Sequence, residues 1–258
     1  MASTEVTTNG SSTDNYTPGK LTLYTNHYCP WAYRVHIALE ELKIPFDEVI
    51  IDLGKPREEW YLKVNPRGQV PALRTEDNEI LVESGVIAEY FANRDPTEQL
   101  LPASGTPGGA LQRARINLFV DRFFKGFIPL MIAAVKAETE EEREEKSFEM
   151  VDALAKEVEP LLHDAAPFFG GSKDLTLAEV QTGSFVLRLM TWPKYEGLFS
   201  KKVPERIEKT MPNFYRWATA VQANKSVTAL WNEKLVAART QDRFRPSEKT
   251  KAAIKAAE

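Results

Sequence analysis

Apolar and polar positions change rhythm twice along this chain. Leu21-Thr22-Leu23-Tyr24-Thr25 is a short β-like run. From Arg34 to Lys43 the apolar residues Val35, Ile37, Ala38, Leu39 and Leu42 fall on one helical face. Phe46 to Asp52 then alternates as a second strand. Strand, helix and strand within about thirty residues make a βαβ unit, which requires parallel pairing and a right-handed crossover. A polar helix-like stretch from Glu58 to Val64 is closed by the break Pro66-Arg67-Gly68. Two short strands, Ala72-Leu73-Arg74 and Ile80-Leu81-Val82, flank the turn signal Asp77-Asn78, and a helix from Gly85 to Asn93 follows. The order β-α-β-α-β-β-α is a thioredoxin-like plan.

Residues 96–109 are rich in Pro, Gly, Ser and Thr and read as a linker. Beyond them the pattern is helical throughout. Arg113 to Val135 is long and amphipathic, the acidic run Glu138 to Glu145 spans a helix end and a solvated turn, and Met150 to Leu162 is the return helix. Thr176-Leu177-Ala178-Glu179 is a capping box ahead of the apolar run Val180 to Met190. Met211 to Gln222 and Val227 to Ala238 are further helices. The fold class is therefore α/β plus all-α. A disordered tail over 1–19 precedes a thioredoxin-like domain over 20–95. The linker 96–109 leads to an all-helical domain over 110–240 and a C-terminal tail over 241–258.

Composition narrows the function classes. The chain has 258 residues, 43% of them hydrophobic, enough for a sizeable core. The formal net charge of −4, with no basic patch, does not favour nucleic acid. No apolar run reaches the length of a membrane span, and the Ser- and Thr-rich start does not read as a secretory signal. One cysteine excludes an intrachain disulfide framework and fits a reducing, cytoplasmic setting. His27, His36 and His163 show no ligand spacing with one another, so no metal site is expected.

That one cysteine carries the chemistry. Cys29 stands in Asn26-His27-Tyr28-Cys29-Pro30-Trp31-Ala32, where a strand runs into a helix. Proline suits a first helical turn, so the thiol meets unpaired N–H groups and the positive end of the helix dipole, which favour thiolate. The competing reading is a buried, inert thiol. A dithiol redox protein would carry its resolving cysteine at position 32, which is Ala32 here. A reactive Cys29 must form its mixed disulfide with an outside thiol, and glutathione is the one expected.

Three further features are open to two readings each. Val70-Pro71 precedes a strand and is either an ordinary turn proline or a bend holding a cis bond. In the second case it offers the Val70 backbone to an extended peptide. Ser84, after Glu83, is either an N-cap alone or part of an anion site at a helix N-terminus, with Glu83 ready for an ammonium group. Lys55 either pairs with a second carboxylate or is simply solvated.

These residues resemble the cytosolic glutathione transferases, most closely the omega class and its fungal omega-like members. The similarity spans about Leu21 to Leu235 and rests on Tyr28-Cys29-Pro30-Trp31-Ala32, Lys55-Pro56 with Trp60, Asn65 to Leu73, and Glu83-Ser84. Phe168-Phe169-Gly170-Gly171, the box Thr176 to Glu179 and Trp192-Pro193 continue it. The resemblance implies a glutathione transferase fold, glutathione as co-substrate and a homodimer. It implies that Cys29 makes the mixed disulfide, that Val70 with Pro71 holds the cysteinyl backbone, that Glu83 and Ser84 hold the γ-glutamyl end, and that Lys55 holds the glycyl carboxylate. Trp31, Trp192 and Tyr195 fall where a second, apolar substrate is bound, although aromatic residues in such helices also serve as core. Trp31 replaces a common phenylalanine, and Glu179 a common aspartate. The implied activity is glutathione-dependent thiol transfer, on disulfides, dehydroascorbate or glutathionyl adducts. The alternatives are a conjugating transferase of detoxification or secondary metabolism, and a non-catalytic ligand carrier or interaction subunit.

Overall fold

The computed structural model describes residues 16–258, so most of the tail expected over 1–19 lies outside the described residues. The chain divides into two compact units, the first ending at Thr97 and the second running from Glu98 to Glu258.

The first unit contains β1 (Thr22–Thr25), α1 (Pro30–Glu41), β2 (Asp47–Ile50), α2 (Glu59–Val64), β3 (Ala72–Arg74), β4 (Ile80–Val82) and α3 (Ser84–Arg94). The sheet order is β2-β1-β3-β4, with β2 parallel to β1 and the other two pairings antiparallel. This is the thioredoxin-like plan. Leu23 pairs with Glu48 on one side and with Leu73 on the other. Tyr24, one residue on and so on the opposite face of the strand, packs with Tyr61 and Val64 of α2 and with Val70 and Ala72. α1 packs against α3, and Val35, Ile37, Ala38, Ile87, Ala88 and Phe91 are fully buried.

The second unit is helical: α4 (Gly109–Lys136), α5 (Glu140–Glu157), α6 (Leu177–Thr191), α7 (Val203–Thr210), α8 (Pro212–Ala223), α9 (Lys225–Thr228), α10 (Glu233–Phe244) and α11 (Glu248–Ala257). Ile116, Phe119, Phe123 and Phe127 form the buried stripe of α4. Phe119 meets the rings of Phe169 and Trp217, and Phe127 that of Phe185. Glu179 stands at the centre of this unit, fully buried. Its Oε1 accepts from the Phe169 N–H and Trp217 Nε1 at 2.8 and 2.6 Å, and its Oε2 from the N–H and hydroxyl of Thr176 at 2.8 and 2.7 Å. Burial raises the pKa of this carboxyl while the donors pull it down. One side chain thus caps α6 and anchors both the 168–171 turn and α8. Gly170 in that turn has φ +66, a region glycine enters without steric cost.

Several boundaries differ from the sequence reading. The acidic run does not end a helix but opens α5: Thr139 accepts from the Glu142 N–H, and Glu140 to Glu142 face the positive end of the helix dipole. The return helix stops at Glu157, and Pro160 sits in a separate 3-10 turn because its ring cannot continue an α-helix. Val227 to Ala238 is two helices, since Asn224 and Asn232 each turn their side chains onto backbone N–H groups and start a new one. The linker is partly core: Leu100 and Leu101 are buried, and the Leu100 carbonyl accepts from the Leu177 N–H at 2.7 Å. The stretch 241–258 is not a free tail. α10 reaches Phe244, and α11 packs on it through a capping box at Ser247 and Thr250, with Thr250 also donating to Asp242 at 2.7 Å.

Candidate active site

Cys29 is the N-cap residue of α1 by backbone, with Pro30 in the first turn. The loop that presents it is held by its own N–H donating to the Asn26 carbonyl at 3.1 Å, while Asn26 Nδ2 donates to the Ile51 carbonyl at 2.9 Å. The thiol is half-buried, and its Sγ lies 4.0 Å from the carbonyl oxygen of Val70. The strand-to-helix placement read from the sequence is therefore real, and the helix begins four residues earlier than its apolar face suggests.

Val70 reaches this position through a tightly tied segment. Tyr61 Oη and Asn65 Nδ2 both donate to the Gln69 carbonyl, at 2.5 and 2.8 Å. Burial raises the Tyr61 pKa, so the phenol keeps its proton to donate. Arg57 donates from Nε to the Gly68 carbonyl at 2.9 Å and from Nη1 to the carbonyls of Asp52 and Lys55, both at 2.6 Å. The Val70–Pro71 peptide is cis, which selects the bend over the ordinary turn. Arg57 was not singled out by sequence reasoning. Its role is to stitch the loop after β2 to the segment before β3, and a lone arginine after Lys55-Pro56 carries no pattern that shows this.

Ala72 pairs with Val82, so Pro71 and Glu83 lie just beyond the same rung of the ladder. Glu83, with φ 69, turns the chain into α3, and its carboxylate meets Arg67 Nη1 at 2.9 Å in solvent. Ser84 is not the N-cap. The turn is made by the Glu83 backbone, and Ser84 enters the first helical position, buried, where its hydroxyl accepts from Arg34 Nη1 at 3.1 Å. Arg34, on α1 one turn beyond Cys29, is itself buried and stacks 4.8 Å from the Trp31 ring. Burial lowers its pKa, yet a guanidinium stays charged. A cation thus lies behind the N-terminus of α3.

Cys29, Val70, Pro71, Glu83 and Ser84 are in this way brought onto one rim of the first unit. Lys55 is joined to it only through Arg57. Its own side chain is 79% exposed, with the ammonium 3.2 Å from Asp52. Trp31 is partly exposed on the first turn of α1. The other two aromatic candidates belong to the second unit. Trp192 is 3% exposed and packs on Phe199, so its ring belongs mainly to the core of the second unit. Tyr195 donates from Oη to Glu233 at 3.1 Å, and burial and that carboxylate push its pKa up to about 12.

The histidines are not the unrelated residues their spacing suggests. His27 Nε2 lies 2.7 Å, and His36 Nε2 3.5 Å, from the same Glu48 oxygen. Burial lowers the His36 pKa to about 4, opposed by Glu48 and reinforced by His27.

Comparison with known proteins agrees with this geometry. The profile of the glutathione S-transferase N-terminal domain family matches residues 28–94. A pyrimidodiazepine synthase of Drosophila melanogaster is 30% identical over 241 residues, 89% of each chain. A glutathione S-transferase omega-1 of Sus scrofa is 27% identical, over 82% of this chain and 80% of its own. The crystal structure of glutathione transferase Omega 2C from Trametes versicolor matches with a TM-score of 0.71 at 27% identity, covering 88% of this chain and 99% of that one.

Proposed function

The chain belongs to the glutathione transferase family, in its omega class, and on that premise we propose that it is a glutathione-dependent thiol transferase working through Cys29 alone. The observation that carries the reading is a lone thiol at the N-terminus of α1, 4.0 Å from the Val70 carbonyl, with alanine where a resolving cysteine would stand. Glutathione lies extended along Val70-Pro71, its backbone pairing with Val70 as a strand edge pairs. Its γ-glutamyl carboxylate meets the first turn of α3 at Ser84, with the Arg34 charge behind, and its ammonium meets Glu83. Its glycyl carboxylate meets Lys55.

The chemistry follows. The Cys29 thiolate attacks the glutathionyl sulfur of a mixed disulfide, and the sulfur–sulfur bond breaks to release the other partner as a thiolate. The Cys29–glutathione disulfide that remains is attacked by a second glutathione thiolate, giving oxidised glutathione and free Cys29. Dehydroascorbate enters differently: the Cys29 thiolate adds to a carbonyl carbon, and a glutathione thiolate then attacks the Cys29 sulfur, so that the carbon–sulfur electron pair leaves with ascorbate and the Cys29–glutathione disulfide is resolved as before. From small adducts the Cys29 thiolate takes the glutathionyl sulfur, and the organic group leaves as a carbanion that takes up a proton. Trp31 borders the place where the second substrate must enter. Trp192 and Tyr195, in the second unit, are occupied otherwise: the indole packs on Phe199 and the phenol donates to Glu233.

No helix among the described residues is long and apolar enough to cross a membrane, and the lone reactive thiol suits a cytoplasmic setting. A homodimer is supported by Leu111 and Leu118, exposed two turns apart on one face of α4. Light scattering giving a monomer mass at micromolar concentration removes the dimer. Parallel assays with hydroxyethyl disulfide and with an aryl halide, both in glutathione, test the reaction class. Thiol transfer requires activity with the disulfide; activity with the halide alone makes the protein a conjugating transferase instead.

A further inference from the structure

His27, His36 and Glu48 come from three elements that the βαβ crossover brings together. Parallel pairing sets Leu23 of β1 opposite Glu48 of β2, and α1 carries His36 back across to the same place. His27 lies in the loop between β1 and α1. One ligand atom from each residue lies within 4.8 Å of the other two, and the Cys29 thiol is outside this group. We propose that these three side chains bind a divalent cation of the zinc class, through His27 Nε2, His36 Nε2 and the Glu48 carboxylate, with solvent completing the coordination.

The donor set selects the ion. Two imidazoles and one carboxylate suit Zn²⁺ and its borderline neighbours, and disfavour Mg²⁺ and Ca²⁺, which want oxygen. The spacing is right for it. Metal–ligand bonds of about 2.0–2.2 Å place neighbouring ligand atoms about 3–3.5 Å apart. The two nitrogens stand 2.7 and 3.5 Å from Glu48 Oε1, so small side-chain movements admit an ion. Charge points the same way. The Glu48 side chain is 7% exposed, and among the described residues no lysine or arginine pairs with it; its partners are two imidazoles. A carboxylate removed from water needs a cation.

The surroundings fix the ligands and leave an entrance. His36 is hemmed by the rings of Tyr33 and Phe46, with centroids 6.3 and 5.9 Å away. The Thr25 hydroxyl, 2.8 Å from His36 Nε2, is the polar neighbour that gives that nitrogen up when an ion arrives. The His27 side chain is 39% exposed and opens the cluster to solvent.

The test uses the full chain, freed of metal with a chelator and kept free of glutathione, titrated with Zn²⁺ alone and with Co²⁺ alone. His36 is too buried to replace safely, so the variants are His27→Ala and Glu48→Gln, with Cys29→Ser as the control for thiolate binding. Wild type and C29S should each take up one Zn²⁺, and their Co²⁺ forms should show visible bands with no sulfur-to-metal charge transfer. H27A and E48Q should each lose at least about tenfold in affinity. The proposal is overturned by wild type taking up no stoichiometric ion, by H27A and E48Q binding as wild type does, or by C29S losing the ion.

Discussion

The Sγ of Cys29 lies 4.0 Å from the carbonyl oxygen of Val70, across 41 positions of sequence. A helix N-terminus and the approach to β3 are thereby set side by side. A thiol in that place is next to main chain that an extended peptide can pair with. The proposed placement of glutathione rests on that adjacency, on the ladder that puts Glu83 and Ser84 beyond Pro71, and on the resemblance to the glutathione transferases, which alone suggests Lys55.

Ser84 serves two purposes, and its replacement should separate them. Ser84→Ala removes a hydroxyl that accepts from buried Arg34 at 3.1 Å. It should weaken glutathione binding measured by calorimetry and cost about 1–3 kcal/mol of stability, the loss of a hydrogen bond from a charged donor. Lys251→Ala, an exposed control, should change neither. Equal glutathione affinities in S84A and wild type would remove Ser84 from the site.

Arg57 holds three carbonyls, those of Asp52, Lys55 and Gly68. Arg57→Ala should loosen the segment that delivers Val70 and raise the KM for glutathione more than it lowers kcat. Arg57→Lys should not rescue it, because a point ammonium cannot span the fork. Recovery of wild-type KM in the lysine variant would show that only charge matters there.

His36 should make the metal-free fold acid-sensitive. Its pKa falls from 6.5 to about 4 on folding, so between those values the unfolded chain holds more protons than the native one. Stability therefore rises with pH across that window and is lost as pH drops through it, by a total on the order of 3 kcal/mol. Urea midpoints at pH 7 and pH 4 read most of it. The His36 ring, followed by NMR over the same range, should stay neutral down to about pH 4; protonation near its ordinary value of 6.5 would place the acid sensitivity elsewhere.

Glu179→Ala should be among the most damaging single changes. It leaves the donors of Phe169, Thr176 and Trp217 without their shared acceptor inside the second unit. A loss of about 3–5 kcal/mol is expected, read from urea unfolding followed by tryptophan fluorescence. A loss under about 1 kcal/mol would mean that water replaces the carboxylate.

Much of this was legible in the sequence, and for identifiable reasons. Local signals survived: the strand before Cys29, the proline after it, and the reciprocal geometry of Thr176 and Glu179. The apolar face of α1 shows only from Arg34 on, because Trp31, Ala32 and Tyr33 run together without a stripe, and it is Pro30 that marks the first turn. The first turns of α5, from Glu140, look like a solvated turn because they are almost wholly charged, and α11 looks like a tail because its buried residues, Thr250 and Ile254, are too few to make a visible face. What the sequence could not show is convergence. Spacing gave no reason to join His27 to His36 and Glu48, to place Arg34 behind Ser84, or to hang three carbonyls on Arg57. Those relationships exist only once β1 pairs with β2 and α1 packs on α3.

The central claim is that Cys29 alone carries thiol transfer while the rim around it binds glutathione. Wild type and Cys29→Ala should be compared in one experiment. Initial rates would be taken with a glutathionyl mixed disulfide, and glutathione affinity would be measured on the same preparations. The account requires C29A to fall to the uncatalysed rate while still binding glutathione. It also requires wild type exposed to oxidised glutathione to gain a single glutathionyl adduct at Cys29, seen by mass spectrometry. Full thiol transfer by C29A, with glutathione affinity unchanged, would contradict it.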